Sequence, residues 1–387
     1  MDQLHDRWNR LNVGSLKQKT PFYVYDLEGI TKRAAEYQAA FAWPDVKAHI
    51  HYALKANANR EVLSAIRSQG CGADVVSGGE YKRAIECGFR PQDIVFSGVG
   101  KTRDEIEMVL QRDLRTLNVE SVPELKRVIE IARSQRRNDV PVLLRVNPNV
   151  DAKTHPNITT GLRENKFGLD MADVPEALEL LSQTSAHVQL KGFAMHIGSQ
   201  LLDLSAIVEG VRRVLDLFSN LRDRFPGLSI LDAGGGLGIA YREESAPTLS
   251  EYAQSLYRLV QNKNVELFIE PGRSMVGAFG LLITEVQYVK KTPHKTFVIV
   301  DTGMHHFMRP ALYQGYHGVV NLTRKGGGRL VADVVGPICE STDVLARDRE
   351  ISEVQEGDRL ALCDVGAYGF VLANSYNLHA QVEELVL

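Results

Sequence analysis

Long apolar runs are missing from this chain. No stretch of about 18 apolar residues occurs in it, which argues against a membrane-spanning helix. Cysteine is scarce: Cys71, Cys87, Cys339 and Cys363 show no Cys-x-x-Cys spacing, which argues against a zinc site and against a disulfide framework. No metal is therefore expected, and any cysteine that matters should act as a thiol. Charge of one sign is not in excess either. A formal net charge of -3 leaves no electrostatic footprint for nucleic acid or an anionic membrane. The amino terminus, Met1-Asp2-Gln3-Leu4-His5-Asp6-Arg7, leads into no apolar stretch resembling a secretory signal, so a cytoplasmic location is the expectation. What remains is an ordinary globular composition, 44% hydrophobic and 24% charged over 387 residues, long enough for one large domain and a smaller one. Small-molecule chemistry is the class this leaves open.

Between residues 48 and 272 short apolar runs alternate with longer amphipathic ones. The runs are His49 to Lys55, Ala73 to Ser77, Ile94 to Gly98, Thr116 to Glu120, Val140 to Asn147, Leu190 to Gly198, Ile230 to Gly236 and Val265 to Gly272. Their β-branched content and flanking turn residues favour strands, and segments such as Val122 to Ala132 carry helical periodicity. Eight strand-helix units match the repeat of a (β/α)8 TIM-type barrel, with a doubly wound open sheet as the competing architecture. After Arg273 the rhythm changes to strands without regular helical connections: Leu281 to Val289, Thr296 to Val300, Arg329 to Val335, Arg359 to Asp364 and Val382 to Leu387. The expected fold is thus α/β plus β. Residues 30–272 form the barrel, and residues 1–29 with 273–387 form a second, mainly β domain, which the Pro21 to Asp26 run can join.

The strand ends carry polar groups: Lys55, Asp74 with Ser77, Arg145 with Asn147, His196 with Ser199, Asp232 with its glycines, and Glu270 with Arg273. Period-2 alternation puts His51, Ala53 and Lys55 on one strand face, which in a barrel points inward at the mouth. A lysine there is a candidate for covalent chemistry, because desolvation lowers the pKa of an amine; alone, it reads more readily as a solvated strand end. Gly234-Gly235-Gly236 follows the seventh strand, where barrel phosphate sites commonly form, although the same glycines also suit a simple tight turn. Glu270-Pro271-Gly272-Arg273 closes strand eight, as an ion pair flanking a turn or as a carboxylate for a ring nitrogen and a guanidinium for an anion. Lysine, glycine loop and carboxylate together are the equipment for pyridoxal 5'-phosphate.

Seven motifs then carry a resemblance. They are Tyr52-Ala53-Leu54-Lys55-Ala56-Asn57, His196-Ile197-Gly198-Ser199-Gln200, Gly234-Gly235-Gly236, Glu270-Pro271-Gly272-Arg273, Arg309-Pro310-Ala311-Leu312-Tyr313, Gly336-Pro337-Ile338-Cys339-Glu340-Ser341 and Gly366-Ala367-Tyr368-Gly369. In this order, over almost the whole chain, they resemble the fold-type III pyridoxal-phosphate decarboxylases, and within them the diaminopimelate decarboxylase family. The resemblance implies that Lys55 forms the Schiff base to the cofactor and His196 stacks on its ring. Ser199, Gly235, Gly236, Gly272, Arg273 and Tyr368 would surround the phosphate, Glu270 would meet the pyridine nitrogen, and Asp74 joins the cofactor-binding set. It further implies that Arg273, Arg309, Tyr313, Glu340 and Tyr368 bind an amino-acid substrate. Cys339 would protonate the α-carbon, reaching the site from the second subunit of a homodimer with shared active sites.

The implied reaction is decarboxylation of meso-2,6-diaminopimelate to L-lysine and carbon dioxide. Thr160-Gly161 and Lys166-Phe167-Gly168 resemble the segment that lies near the site after strand five. Leu378-His379-Ala380 departs from the pattern, standing where this family usually has an Arg-Pro-rich stretch. Related decarboxylases acting on ornithine, arginine or carboxynorspermidine therefore remain alternatives, with a non-catalytic cofactor-binding homologue beyond them. Racemases of this fold place an arginine at the pyridine nitrogen, where this chain has Glu270.

Overall fold

The computed structural model describes Trp8 and residues 11–150, 166–324 and 328–387. Its strands, numbered along the chain, begin with β1 (Phe22–Tyr25). Eight parallel strands then close a barrel in chain order: β2 (Ala48–Ala53), β3 (Gly72–Val75), β4 (Ile94–Phe96), β5 (Thr116–Val119), β6 (Val140–Arg145), β7 (Val188–Ala194), β8 (Ile230–Asp232) and β9 (Glu266–Ile269). The ring is sealed where Ala48 pairs with Leu267 and Ile50 with Ile269. The chain thus forms the closed (β/α)8 barrel expected of it, and not an open sheet. Strands buried on both faces must be apolar nearly throughout, and Val95, Leu143, Ala194, Ile230 and Phe268 pack together as a barrel core cluster.

Helix starts are fixed by short polar caps close behind the strand ends. Asn59 accepts from the Glu61 and Val62 amides, Ser77 from Glu80, Ser121 from Glu124, and Thr102 and Thr248 form capping boxes with Glu105 and Glu251. Every barrel strand stops short of its expected carboxyl end. Strand β2 ends at Ala53, whose N–H donates to Pro271 O at 3.1 Å, and Leu54–Ala56 form one 3-10 turn that carries Lys55. At the seventh barrel strand the ladder ends at Asp232, because Gly234 turns into the left-handed region at φ 66°. The polar and glycine-rich ends are rim loops, released from pairing.

Two compact units divide the chain: Thr31–Ile239 with Ser245–Met275, which holds the barrel, and Met1–Ile30 with Ala240–Glu244 and Val276–Leu387. The second is a β unit of β10 (Gly280–Lys291), β11 (Thr296–Val300), β12 (Val319–Asn321), β13 (Arg329–Val335), β14 (Val344–Ser352), β15 (Arg359–Cys363) and β16 (Glu383–Val386). Its strands run β12-β15-β10-β11-β13-β14, while β1 pairs antiparallel with β10 and parallel with β16. Trp8, Val13, Phe22, Val24, Leu281, Ile283, Ala361 and Cys363 form a core cluster there. Strands β12 and β14 were not expected from sequence. The first has three residues, and the second carries Arg347-Asp348-Arg349-Glu350, which masks its pairing with β13.

Gly192 on β7 offers a direct test of barrel closure, since a Cβ there would lie 1.7 Å from Ile230 O on β8. Gly192→Ala should cost about 3 kcal/mol or more by overpacking against backbone. Gly100→Ala, with nothing within 4 Å of the added carbon, should change the guanidinium midpoint little by comparison.

Candidate active site

The carboxyl ends of the barrel strands bring Lys55 and Asp74 into contact. Ala53 is in register with Asp74 on the neighbouring strand, so the turn after Ala53 delivers Lys55 to it. Lys55 Nζ donates to Asp74 Oδ2 at 2.7 Å. Asp74 is completely buried and its other oxygen, Oδ1, has no hydrogen-bond partner. A buried carboxylate with an unused oxygen is costly, and such groups concentrate at functional sites.

Two further carboxylates share this interior. Asp232 and Glu270, 1% and 8% exposed, hydrogen-bond to each other. Burial pushes both carboxyls up, Glu270 well above its usual range, and the neighbouring charges of Asp232 and Asp74 push Glu270 further while Lys55 pulls it down. Asn118 Nδ2 donates to Asp232 Oδ2 at 3.2 Å and to Ser97 Oγ at 3.1 Å, and Ser97 Oγ donates to Glu270 Oε1 at 3.4 Å.

The glycine loop lies against these groups. A Cβ on Gly235 would stand 2.2 Å from Glu270 O, and one on Gly236, at φ 117°, 2.7 Å from Gly198 O. Only glycine fits where three loops approach so closely. His196 Nδ1 accepts the Gly235 N–H at 3.2 Å, which leaves Nε2 to carry the proton of a neutral ring. Burial holds His196 well below the usual imidazole range, reinforced by the Arg145 and Lys55 charges. Ser199 Oγ accepts from Arg273 Nη2 at 3.2 Å, and Arg273 opens a short helix, Arg273–Val276, directly after buried Gly272.

Arg145 is held by Glu120, its Nη1 donating to Oε1 at 2.7 Å, and lies over the Phe167 ring at 5.0 Å. Glu120 also accepts the Gly98 and Gly168 amides. Beside it, the buried Lys101 amine pairs with Glu124 at 2.7 Å. Lys166 sits 5.5 Å from the Phe167 ring centre; Thr160 and Gly161 fall outside the described residues.

Within the barrel unit the structure therefore gathers Lys55, Asp74, His196, Ser199, Gly235, Gly236, Glu270, Gly272 and Arg273. The other candidates belong to the β unit. Arg309 begins the helix Arg309–Tyr313, donates to Tyr241 Oη at 3.1 Å and to His317 Nε2 at 2.5 Å, and lies over the Tyr241 ring. His317 in turn donates from Nδ1 to Cys363 O at 2.7 Å. Tyr313 is half-buried, and Tyr368 adopts a left-handed backbone at φ 55°. Cys339 and Glu340 lie exposed on a loop organised by Asp343, which accepts the Met304 and Ile338 amides; Tyr376 Oη donates to Glu340 at 2.7 Å. Cys71, Cys87 and Cys363 are buried, with burial pushing their thiols up, to about 11 for Cys71 and about 12 for Cys363.

Sequence reasoning passed over Ser97, Asn118 and Glu120. Ser97 and Glu120 stand just past the ends of β4 and β5, the pattern that singled out Asp232 and Arg145, and Asn118 is the last-but-one residue of β5.

Residues 27–277 match the family model described as pyridoxal-dependent decarboxylase, pyridoxal binding domain. The chain belongs to the pyridoxal-dependent decarboxylases, enzymes whose cofactor is pyridoxal 5'-phosphate. Among its relatives are the diaminopimelate decarboxylases of Neisseria meningitidis serogroup B, 43% identical over 95% of this chain and 88% of that protein, and of Helicobacter pylori strain J99, 44% identical over 95% and 90%. The crystal structure of Helicobacter pylori diaminopimelate decarboxylase complexed with L-lysine superposes with a TM-score of 0.92 at 42% identity, covering 98% of this chain and 94% of that one. The barrel residues fit the cofactor: a lysine amine on a buried carboxylate with an oxygen to spare, a loop where side chains cannot enter, and a deeply buried acid.

Glu80 makes this region sensitive to pH. Burial is the largest influence and pushes its carboxyl from 4.5 up to about 7, against the Val76 N–H it accepts at 2.8 Å and the attraction of Lys55. The folded chain therefore binds this proton more tightly than the unfolded chain does. That contribution is complete below about 4.5 and is lost as pH rises through 7. Glu80→Gln should flatten this part of the fall in stability, read from urea midpoints of both proteins at pH 5 and pH 8.

Proposed function

We propose that this protein removes one carboxylate of meso-2,6-diaminopimelate as carbon dioxide and releases L-lysine. The observation that carries this reading is the pairing of Lys55 with Asp74 in one interior with Glu270, in a chain more than 40% identical to diaminopimelate decarboxylases. Bound pyridoxal phosphate supplies an electron sink conjugated to the substrate α-carbon. Lys55 Nζ is its covalent anchor, and Asp74 holds the amine in place. Ser199, Gly235, Gly236, Gly272, Arg273 and Tyr368 hold the phosphate. His196 packs on the ring as a neutral imidazole, and Glu270 faces the ring nitrogen.

Residues 30–272 carry the cofactor, while 1–29 and 273–387 contribute substrate and dimer contacts. Arg273, Arg309, Tyr313, Glu340 and Tyr368 bind the substrate; two guanidinium groups and one carboxylate suit a distal end bearing both a carboxylate and an amine. Cys339 Sγ gives its proton to the carbon from which the carboxylate departs. Among the described residues it is the one cysteine whose thiol is not buried, which supports delivery from a homodimer partner. The enzyme works in the cytoplasm, in keeping with the absence of any described helix long and apolar enough to cross a membrane.

Purified protein with pyridoxal phosphate should release carbon dioxide and lysine from meso-diaminopimelate and little from ornithine, arginine or carboxynorspermidine. Turnover confined to a substrate without a distal carboxylate would reject the assignment. Cys339→Ala should bind the cofactor normally and lose roughly 100-fold or more in turnover, the usual contribution of a positioned general acid. An unchanged rate would remove Cys339 from the mechanism.

A further inference from the structure

The loop that carries Cys339 and Glu340 is braced from two sides within the β unit. At its root, Asp343 accepts the Ile338 N–H at 2.8 Å and the Met304 N–H at 2.6 Å, and the Gly336 N–H donates to Asp343 O at 3.1 Å. At its tip, the 3-10 turn Tyr376–Leu378 makes two further contacts. Tyr376 Oη donates to Glu340 Oε1 at 2.7 Å, and Asn377 Oδ1 accepts the Cys339 N–H at 3.4 Å. This turn runs into Leu378-His379-Ala380, the stretch where the chain departs from the pattern of its family.

The backbone of the turn is strained. Asn377 and Leu378 both lie in the left-handed region, at φ 53° and 58°. Asparagine tolerates that region, but a leucine does not, and Leu378, 94% exposed, recovers nothing by burial. Such a conformation persists only where its surroundings over-determine it. The turn is held from both ends: the Asn374 N–H donates to His305 O at 2.8 Å, and His306 Nε2 donates to Ala380 O, also at 2.8 Å. His305 and His306 are buried and directly follow Met304, whose amide Asp343 binds. One segment, Met304 to His306, therefore ties the turn and the Cys339 loop to a common base.

Glu340 is exposed, and a free glutamate side chain spreads over many rotamers. The Tyr376 hydroxyl selects one of them. It occupies Oε1 and favours the charged form, because a hydrogen bond donated to a carboxylate stabilises the anion. The Glu340 contact in turn raises the Tyr376 phenol above its ordinary value, so the hydroxyl keeps the proton it donates. Oε2 makes no hydrogen bond among the described residues and is open to a cation.

We propose that Tyr376 is a positioning residue that sets specificity for the distal amine of the substrate: by fixing Glu340 through Oε1, it presents Oε2 to that ammonium group. The proposal rests on the reading of Glu340 as a substrate-binding residue. Tyr376 works through Glu340, and the gain comes from ordering the carboxylate before the ligand arrives.

The test compares L-lysine with 6-aminohexanoate as inhibitors of meso-diaminopimelate turnover by the pyridoxal-phosphate-loaded enzyme. The two share a carboxylate and a terminal amine and differ only in the amine beside the carboxylate, the one assigned to Glu340. The unsubstituted protein should bind L-lysine more tightly. Tyr376→Phe keeps the ring and removes only the hydroxyl; it should reduce that preference roughly tenfold, the scale of a hydrogen bond to a charged group, with the inhibition constant of 6-aminohexanoate unchanged. An unchanged preference, or the equal loss for both ligands that a loosened loop would give, would overturn the proposal.

Glu340→Gln separates this inference from the reading beneath it. Its preference for L-lysine should fall at least as far, and adding Tyr376→Phe to it should change nothing more. A further loss of preference in the double variant would place the effect of Tyr376 elsewhere and overturn the inference alone. Full preference in Glu340→Gln would contradict the substrate-binding role of Glu340, and the inference with it.

Discussion

The ion pair between Lys55 and Asp74 closes at 2.7 Å with the carboxylate fully buried, and it shares its interior with Asp232 and Glu270. Taking such groups out of water costs several kcal/mol per ion even after relaxation. The barrel meets that cost with hydrogen bonds supplied from strand ends on different sides: Asn118 on β5 reaches Asp232 on β8, and Ser97 after β4 reaches Glu270 after β9. The closed ring of strands is what makes those contacts reachable, and the charged interior is what the closure serves.

Around this interior each element is specialised by simple physical needs. The glycine loop gives up side chains because three rim loops meet there, so its backbone is what a ligand encounters. His196 is kept neutral by burial and by the charges of Arg145 and Lys55, and a neutral ring can lie against an aromatic ligand without adding a cation. Glu120 secures Arg145 and at the same time ties down the Gly98 and Gly168 amides. Removing one partner from a buried pair of this kind leaves an uncompensated charge, which ties the stability of the rim to its chemistry.

Much of this was legible in the sequence. The eight barrel strands could be read because buried parallel strands are short, apolar and separated by amphipathic helices. Their ends were overrun because residues such as Ser97, Glu120 and Gly234 continue an extended pattern and then turn away to serve the rim. Strand β14 was hidden by its exposed charges, since it is half solvated and its register with β13 shifts around Arg347 and Asp348. Lys55, His196, the glycines and Glu270 could be read from motifs that combine unusual chemistry with a strand end. Asn118 could not: its partner Asp232 is 114 residues away, and only barrel closure brings the two together.

The central claim is that the amine on Asp74 is the one that carries the cofactor. It is tested most directly by treating the pyridoxal-phosphate-loaded protein with borohydride, which makes the carbon–nitrogen link permanent, and mapping the labelled peptide. The account predicts a single pyridoxyl group on Lys55, and a label on another lysine, such as buried Lys101, or no label at all, would contradict it.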